Sequence, residues 1–180
     1  IEWQSPGQLL ISEKSAANYQ SRLWRLDLKT LNLNLLAEPA TGSHFKWSND
    51  KKLAFEFSKN RFLIRAGSNL EKTILPGVIT LPEKCVWAQF SCTTAEIYCF
   101  DPKEISPKAI LPDDYWQNKN LTNDDLLLIK VNTETREIEK IENLLAAENL
   151  NAMLIDGKNP FVSLNKVIFI NRYDNQLYEL

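Results

Sequence analysis

The sequence has 180 residues, enough for one ordinary domain with a real core, and its 44% apolar content excludes a chain that is disordered throughout. Charged residues make up 24% and the net charge is −2, so no basic face points to nucleic acid as a partner. The apolar runs are too short to span a membrane. Neither an initiator Met nor a signal peptide opens the chain; it begins at Ile1 inside what reads as a strand, which is expected of a piece of a longer polypeptide or its ordered remainder.

In chain order, short apolar runs alternate with turn residues about every ten positions, the all-β signature. The runs are Gln8–Glu13, Arg22–Leu28, Leu33–Ala37, Lys52–Phe57, Arg61–Ala66, Lys72–Leu75, Glu96–Phe100, Asp125–Val131, Glu137–Ile141, Lys166–Asn171 and Gln176–Leu180. Most carry the Leu, Ile, Val, Phe, Tyr or Trp that suit strands. Lys103–Asn123, with Pro107, Pro112 and several Asn and Asp, reads as a long loop. Ile141–Leu154 spaces its Leu and Ala as a helix of two or three turns would, and an irregular connector fits the segment equally well.

A repeat runs through these elements. Trp3-Gln-Ser-Pro-Gly-Gln-Leu-Leu-Ile, Trp47-Ser-Asn-Asp-Lys-Lys-Leu-Ala-Phe and Val162-Ser-Leu-Asn-Lys-Val-Ile-Phe-Ile each place a bulky residue before a polar turn and an apolar strand. A looser copy starts at Trp87. Leu23-Trp-Arg-Leu-Asp, Phe62-Leu-Ile-Arg-Ala, Leu127-Leu-Ile-Lys-Val and Leu177-Tyr-Glu-Leu supply a following strand. The copies are 44, 40 and 75 residues apart, and the last interval holds both the long loop and the ambiguous segment. A period of about 40–45 residues with four strands is that of a propeller blade. In that scheme the bulky residue fills the wedge between blades, and the next strand is apolar on both faces because both are buried. A β-sandwich is the competing architecture. The expected fold is therefore an all-β β-propeller of four-stranded antiparallel blades, at approximately 1–40, 41–80, 81–145 and 146–180, with the long loop at 103–123. About four blades in this chain would form part of a larger ring, completed by blades of the same chain or by a second copy. The last blade is one strand short, so an N-terminal strand or a partner's strand is expected to pair alongside Gln176–Leu180.

Trp47-Ser48-Asn49-Asp50 with Leu53-Ala54-Phe55 resembles the TolB-like propeller repeat, approximately W-S-P-D-G-x-x-I-A-F, and Trp3-Gln4-Ser5-Pro6-Gly7 matches it shifted by one residue. Lys84-Cys-Val-Trp87, Ile97-Tyr-Cys-Phe-Asp-Pro102, Leu111-Pro-Asp-Asp-Tyr-Trp116 and Phe169-Ile-Asn-Arg172 look like the C-terminal part of bacterial members of that group. The resemblance spans nearly the whole chain and implies an extracytoplasmic or cell-envelope setting and a binding role. Its motif specifies fold far better than function.

The chemistry-bearing residues do not assemble into a catalytic or metal signature. No G-x-S-x-G is present, and His44 at an inner-strand start reads as a structural or rim residue. Asp113-Asp114 and Asp124-Asp125 lack the alternate-position layout of a calcium loop and read as solvated loop acids or strand-start caps. No phosphate-binding glycine cluster and no cofactor site emerge. Within the long loop, Asp113, Asp114, Tyr115 and Trp116 form a candidate partner-binding loop, its two aromatics serving as an anchor. The competing reading buries both rings against their own blade. The expected function is a non-enzymatic module presenting a propeller face or loop to a protein, peptide or cell-envelope partner. The alternative is the accessory propeller of a hydrolase or peptidase whose catalytic domain lies outside this segment.

Cys85, Cys92 and Cys99 are spaced by seven and seven, unlike a zinc site. A symmetric hairpin turning near Cys92 sets Cys85 opposite Cys99, within disulfide reach at a non-hydrogen-bonded pair. The competing reading is a pair of buried thiols acting as small hydrophobes. A bond closing a loop of about 15 residues stabilises by about 3 kcal/mol in the chain-entropy model, and the envelope setting that the resemblance implies favours it. Mass spectrometry of non-reduced, alkylated protein is expected to find one alkylated thiol, at Cys92; two or three alkylated thiols would refute the bond.

Overall fold

Alternating apolar patterning folds into fifteen strands among the described residues, arranged in four antiparallel sheets, each an up-and-down meander. The computed structural model describes residues 1–66, 70–91, 93–135, 137–141, 144–147 and 153–180. The first sheet takes β1 (Glu2–Ser5), β2 (Gln8–Ser12), β3 (Gln20–Asp27) and β4 (Leu33–Thr41) in sequence order. The second takes β5 (His44–Trp47), β6 (Leu53–Ser58), β7 (Arg61–Ala66) and β8 (Glu71–Ile74) in the same order. A 3-10 turn at Pro82–Lys84 leads into β9 (Cys85–Phe90), β10 (Thr94–Pro102), β11 (Asp124–Asn132) and β12 (Ile138–Ile141), the third sheet. A one-turn helix, α1 (Asp113–Trp116), interrupts the β10–β11 connection, and another, α2 (Leu144–Ala147), follows β12. The last sheet has three strands, β13 (Gly157–Ser163), β14 (Lys166–Asn171) and β15 (Gln176–Glu179). The chain is thus all-β and propeller-type: each sheet has the strand order of a blade.

The chain divides into two compact units, Ile1–Pro76 with Ile110–Asp113, and Gly77–Ala109 with Asp114–Leu180. In the first unit, Leu10, Leu23 and Ala37 of the first sheet form one buried cluster with Phe45, Trp47, Ala54 and Leu70. In the second unit, Phe100 and Leu126 of the third sheet pack with Leu145, Ile155, Val167 and Phe169. Sheet-on-sheet packing of this kind removes one apolar face of each sheet from water.

The turns explain much of the repeat. Ser48 Oγ donates to Asp50 Oδ1 at 2.7 Å, while Leu53 N donates back to Ser48 Oγ at 3.0 Å and Lys52 N to Asp50 Oδ1 at 3.1 Å. The Trp47-Ser48-Asn49-Asp50 motif is therefore a self-bonded turn that launches β6. Asp27 Oδ1 accepts the amides of Lys29 and Thr30, both at 2.9 Å, and Asn132 Oδ1 accepts those of Glu134 and Thr135, both at 2.9 Å. The acidic or amide residue that ends the third strand is in each case the hinge of the next turn. Lys59-Asn60 and Leu164-Asn165 have positive φ throughout, the two-residue turn whose twist matches its hairpin.

The innermost strands β1, β5, β9 and β13 are full ladder members, although they fall outside the apolar runs, because their apolar residues alternate with polar ones. Two expectations need correction. Burial on both faces of the second strand holds for β6 alone, whose residues are all buried; β14 and most of β10 alternate, and β2 buries only Leu10. Trp47 and Trp87 are buried, but Trp3 is 63% exposed and fills no wedge. Ile141–Leu154 is helical over Leu144–Ala147, and residues 142–143 and 148–152 lie outside the described residues.

Gly157 opens β13 against the Phe100 ring: a Cβ built there would lie 2.2–2.6 Å from three ring carbons. Phe100 is fully buried and its ring centroid is 4.5 Å from that of Phe169, so it has little room to retreat. Gly157→Ala is expected to lower stability by about 1–3 kcal/mol through overpacking, read as a lower urea midpoint at unchanged slope.

Candidate functional site

The 103–123 loop closes at its neck, where Lys103 N donates to Asn123 O at 2.9 Å, and in the second unit it returns over a buried ionic cluster. Pro82 starts the 3-10 turn and sets Lys84 at its end with 2% exposure. Asp124 is the first residue of β11, and Asp156 and Arg172 flank the paired ends of β13 and β14, where Gly157 faces Asn171. Asn171 Oδ1 accepts the Asp156 amide at 3.0 Å, and Arg172 N donates to Asp156 O at 2.9 Å. Backbone ladders and their caps thus bring four charges together from three separated stretches of sequence.

Lys84 Nζ donates to Asp124 Oδ2 at 2.6 Å and to Thr122 Oγ1 at 2.8 Å, and forms an ion pair with Asp156 Oδ1 at 2.8 Å. Asp156 Oδ1 is held by charge alone, since no hydrogen bond of good geometry reaches it. Thr122 Oγ1 donates to Asp124 Oδ1 at 2.7 Å, and Gly157 N donates to Asp124 Oδ2 at 2.9 Å. Asp156 Oδ2 accepts Thr122 N at 2.8 Å and Arg172 Nη1 at 2.9 Å. Arg172 Nη2 donates to Tyr115 O and Asn118 Oδ1, each at 3.1 Å, tying the loop down. Two cations and two carboxylates balance, which is the condition for burying them. Burial pushes the Asp124 carboxyl above its ordinary range, and the ammonium of Lys84 opposes the rise. Asp101 is pushed up to about 6, mainly by burial, with the Ile79 amide at 3.0 Å opposing it.

Tyr115 is buried, with Arg172 Cζ 4.2 Å and Lys84 Nζ 5.5 Å from its ring centroid, a doubly cationic setting for one aromatic face system. Burial, and then the Glu83 carboxylate, raise its phenol well above the ordinary value, so it stays neutral. Trp116 is half-buried and its indole N–H donates to Glu83 Oε1 at 2.7 Å. Tyr115 is therefore packed as the competing reading had it and is not an exposed anchor, whereas Trp116 is only half-buried and keeps part of its ring on the surface. Asp113 Oδ1 accepts Ala17 N at 3.1 Å in the first unit, and Asp114 lies 3.9 Å from Lys119 Nζ. Asp124 opens β11, as the strand-start reading had it, but it is fully buried and not a solvated acid, because this end of β11 is roofed by the loop and by β13. His44 stands at the start of β5, half-buried.

Beside the cluster is a cavity of about 190 Å³ lined by Glu83, Tyr115, Trp116, Asn118, Lys158, Asn159 and Arg172. Among the described residues the Lys158 ammonium has no ion-pair or hydrogen-bond partner, whereas the Arg172 guanidinium is already engaged. The cavity is of side-chain size, with an aromatic wall, two amides, the Lys158 ammonium and the Glu83 carboxylate, of which Oε1 is engaged by the Trp116 indole; an acidic guest has to sit on the Lys158 and amide side. Among the described residues no group of three or more His, Cys, Asp or Glu could hold a metal, and no helix is long and apolar enough to cross a membrane.

Cys85 pairs directly with Cys99 in the β9–β10 ladder, both fully buried, with Cα atoms 4.1 Å apart and their sulfurs bonded. Cys92 lies outside the described residues. Lys84, Asp156 and Arg172 were missed by sequence reasoning. Lys84 and Arg172 sit at the ends of the segments quoted for the resemblance, Lys84-Cys-Val-Trp and Phe169-Ile-Asn-Arg; that adjacency was the available signal.

No protein-family model matches the chain, and no curated sequence does. Among solved structures it is similar to an oligogalacturonate lyase in complex with manganese, at 16% identity and TM-score 0.49 over 97% of this chain and 46% of that one. It is also similar to dipeptidyl peptidase 4 of Porphyromonas gingivalis, at 10% identity and TM-score 0.46 over 96% and 28%. The acylaminoacyl peptidase of Pyrococcus horikoshii gives 13% identity and TM-score 0.42 over 96% and 30%. The chain spans less than half the length of each. The blade assignment stands on strand order, not on these distant likenesses.

Lys84→Met removes the cation shared by two buried carboxylates, which is expected to cost about 3–5 kcal/mol near neutral pH. The sign with pH follows from Asp124: its raised folded value means the native state takes up a proton before the unfolded chain does. Without Lys84 the rise is larger, so the variant's deficit should shrink as pH falls and the carboxyl neutralises. Thermal melts between pH 4 and 8 check this; a deficit independent of pH would contradict it.

Proposed function

We propose that this protein is a non-enzymatic, propeller-type binding module whose loop cavity receives an acidic side chain of a protein or peptide partner. The observation that carries the reading is Lys158, an uncommitted cation lining a side-chain-sized cavity together with Trp116, Asn118 and Asn159. A carboxylate entering there meets the ammonium and amide donors, while the indole offers apolar area; a charge-assisted contact of this kind is stronger than a neutral one. The loop is held by Arg172, so the cavity is formed in advance and little ordering accompanies binding. An extracytoplasmic or cell-envelope setting belongs to the same proposal, and the Cys85–Cys99 bond supports it, because such bonds persist in oxidising compartments.

The alternative, an accessory propeller beside a hydrolase or peptidase domain, uses the same cavity to position a substrate; the complete coding sequence separates the two by showing whether such a domain exists. The binding reading is tested by selecting a displayed random-peptide library on the chain and titrating the enriched peptides by fluorescence anisotropy. Enriched peptides are expected to share an Asp or Glu, and Lys158→Glu to weaken them at least tenfold with the fold intact by circular dichroism. Unchanged affinity for Lys158→Glu would overturn the reading.

A further inference from the structure

The register of the second sheet places Phe45, Trp47, Ala54, Glu56, Leu63 and Ile74 on one face. Phe45 pairs with Glu56, Glu56 with Leu63 and Leu63 with Ile74, while Trp47 pairs with Ala54. Arg65 and Lys72, paired with each other, and Ser58 with Arg61, fall on the same face. Near β5 this face is sealed: Phe45, Trp47 and Ala54 pack with Leu10, Leu23 and Ala37 of the first sheet. Towards β7 and β8 the same face opens. A groove of about 480 Å³ lies there, walled on the other side by residues 36–40 of β4. Two twisted sheets in contact at one end diverge at the other, and only larger side chains would fill the gap.

The charges of the groove are unevenly committed. Glu56, 1% exposed, binds Arg65 and accepts Ser43 Oγ at 2.8 Å, and Arg65 Nη1 donates to Leu70 O at 3.1 Å, so the floor is neutral and satisfied. Lys59, Arg61 and Lys72 are exposed and have no acidic partner among the described residues. Lys72 stands directly opposite Arg65, whose charge Glu56 already balances, so the Lys72 ammonium is the cation of this pair left without an acid among the described residues. Glu71 lines the groove beside Lys72, so the three exposed cations stand against two exposed acids, Glu71 and Glu38. Glu38 is the exposed acid on the β4 side. The groove face therefore carries a surplus of uncommitted positive charge beside the apolar side chains of Leu36, Leu63 and Ile74, the last 46% exposed.

We propose that this groove is a second binding site, distinct from the loop cavity, which takes an extended acidic segment of a partner protein. Its carboxylates meet Arg61 and Lys72, and its intervening apolar side chains cover Leu63 and Ile74. Extended chain alternates its side chains with period two, which matches a cleft that offers cations and aliphatic surface side by side. The groove is independent of Lys158, so each proposal can fail alone.

The test titrates the intact chain with a fluorescein-labelled Glu-Leu-Glu-Leu-Glu peptide, its Lys-Leu-Lys-Leu-Lys counterpart and a single-stranded oligonucleotide of equal charge, at 50 mM and 500 mM salt. The acidic peptide is expected to bind with an affinity that falls as salt rises, and the basic peptide not to bind. Arg61→Glu with Lys72→Glu should weaken the acidic peptide at least tenfold, Lys72→Ala severalfold, and Lys158→Glu not at all. Equal binding of the oligonucleotide, or of the basic peptide, would overturn the proposal, as would unchanged affinity in both groove variants when circular dichroism shows them folded. Loss on Lys158→Glu alone would move the peptide to the loop cavity and also overturn it.

Discussion

The architecture of the second unit turns on one buried ammonium. Lys84 Nζ holds Asp124 and Asp156, and through Asp156 it is linked to Arg172 and the 103–123 loop. Each of these groups would be costly alone in a low-dielectric interior, so none keeps its place without the others. The elements they belong to, the 3-10 turn before β9, the start of β11 and the ends of β13 and β14, are thereby fixed relative to one another. The loop that covers them is fixed as a consequence. An apolar replacement of the whole cluster could match its stability; its contribution is to specify one loop conformation, and so the shape of the cavity beside Lys158.

Next to that cluster lies a covalent constraint. Cys85 follows Lys84 directly and is bonded to Cys99 on the neighbouring strand. The ladder already sets these residues opposite each other, so in the native state the bond reinforces a pairing that backbone hydrogen bonds make. Its larger effect falls on the unfolded chain, whose freedom it removes. Phe100, the next residue, lies under Gly157, so the bond, the core and the ionic cluster meet within a few residues of β9, β10 and β13. In the first unit, among the described residues, no buried ionic cluster of this kind links the sheets; apolar packing around Trp47 and the Glu2–Lys51 ion pair do so, and charge is left over for the outer groove.

The repeat in the sequence proved to be a turn grammar more than a burial pattern. Ser48 and Asp50 close one turn, Asp27 and Asn132 each hinge another, and positive-φ pairs end two hairpins. These are local interactions between residues a few positions apart, so they are visible in a linear string. Burial is not local: Trp3 and Trp47 occupy the same place in the repeat, yet one is 63% exposed and the other buried. Which of the two meets a neighbouring sheet depends on what packs against each.

Strand alternation, turn chemistry and a period near 40 residues were enough to determine the class, an all-β chain of meander sheets, and the pairing of Cys85 with Cys99 follows from hairpin symmetry. The site was not legible in the same way. Asp124 looked like one of two solvated acids, and Lys84, Asp156 and Arg172 carried no motif, because a charge reads as exposed until its partners are known. Those partners lie 16 to 72 residues away in sequence and converge only when β11, β13 and β14 are in register. Tyr115, taken as a possible anchor for its setting in a polar loop, is buried for the same reason: Arg172, beyond the end of β14, reaches back to its carbonyl and its ring. Local physics fixes turns and strands; the long-range meeting of charges, which decides where the cavities lie and which cations stay uncommitted, belongs to the tertiary structure alone.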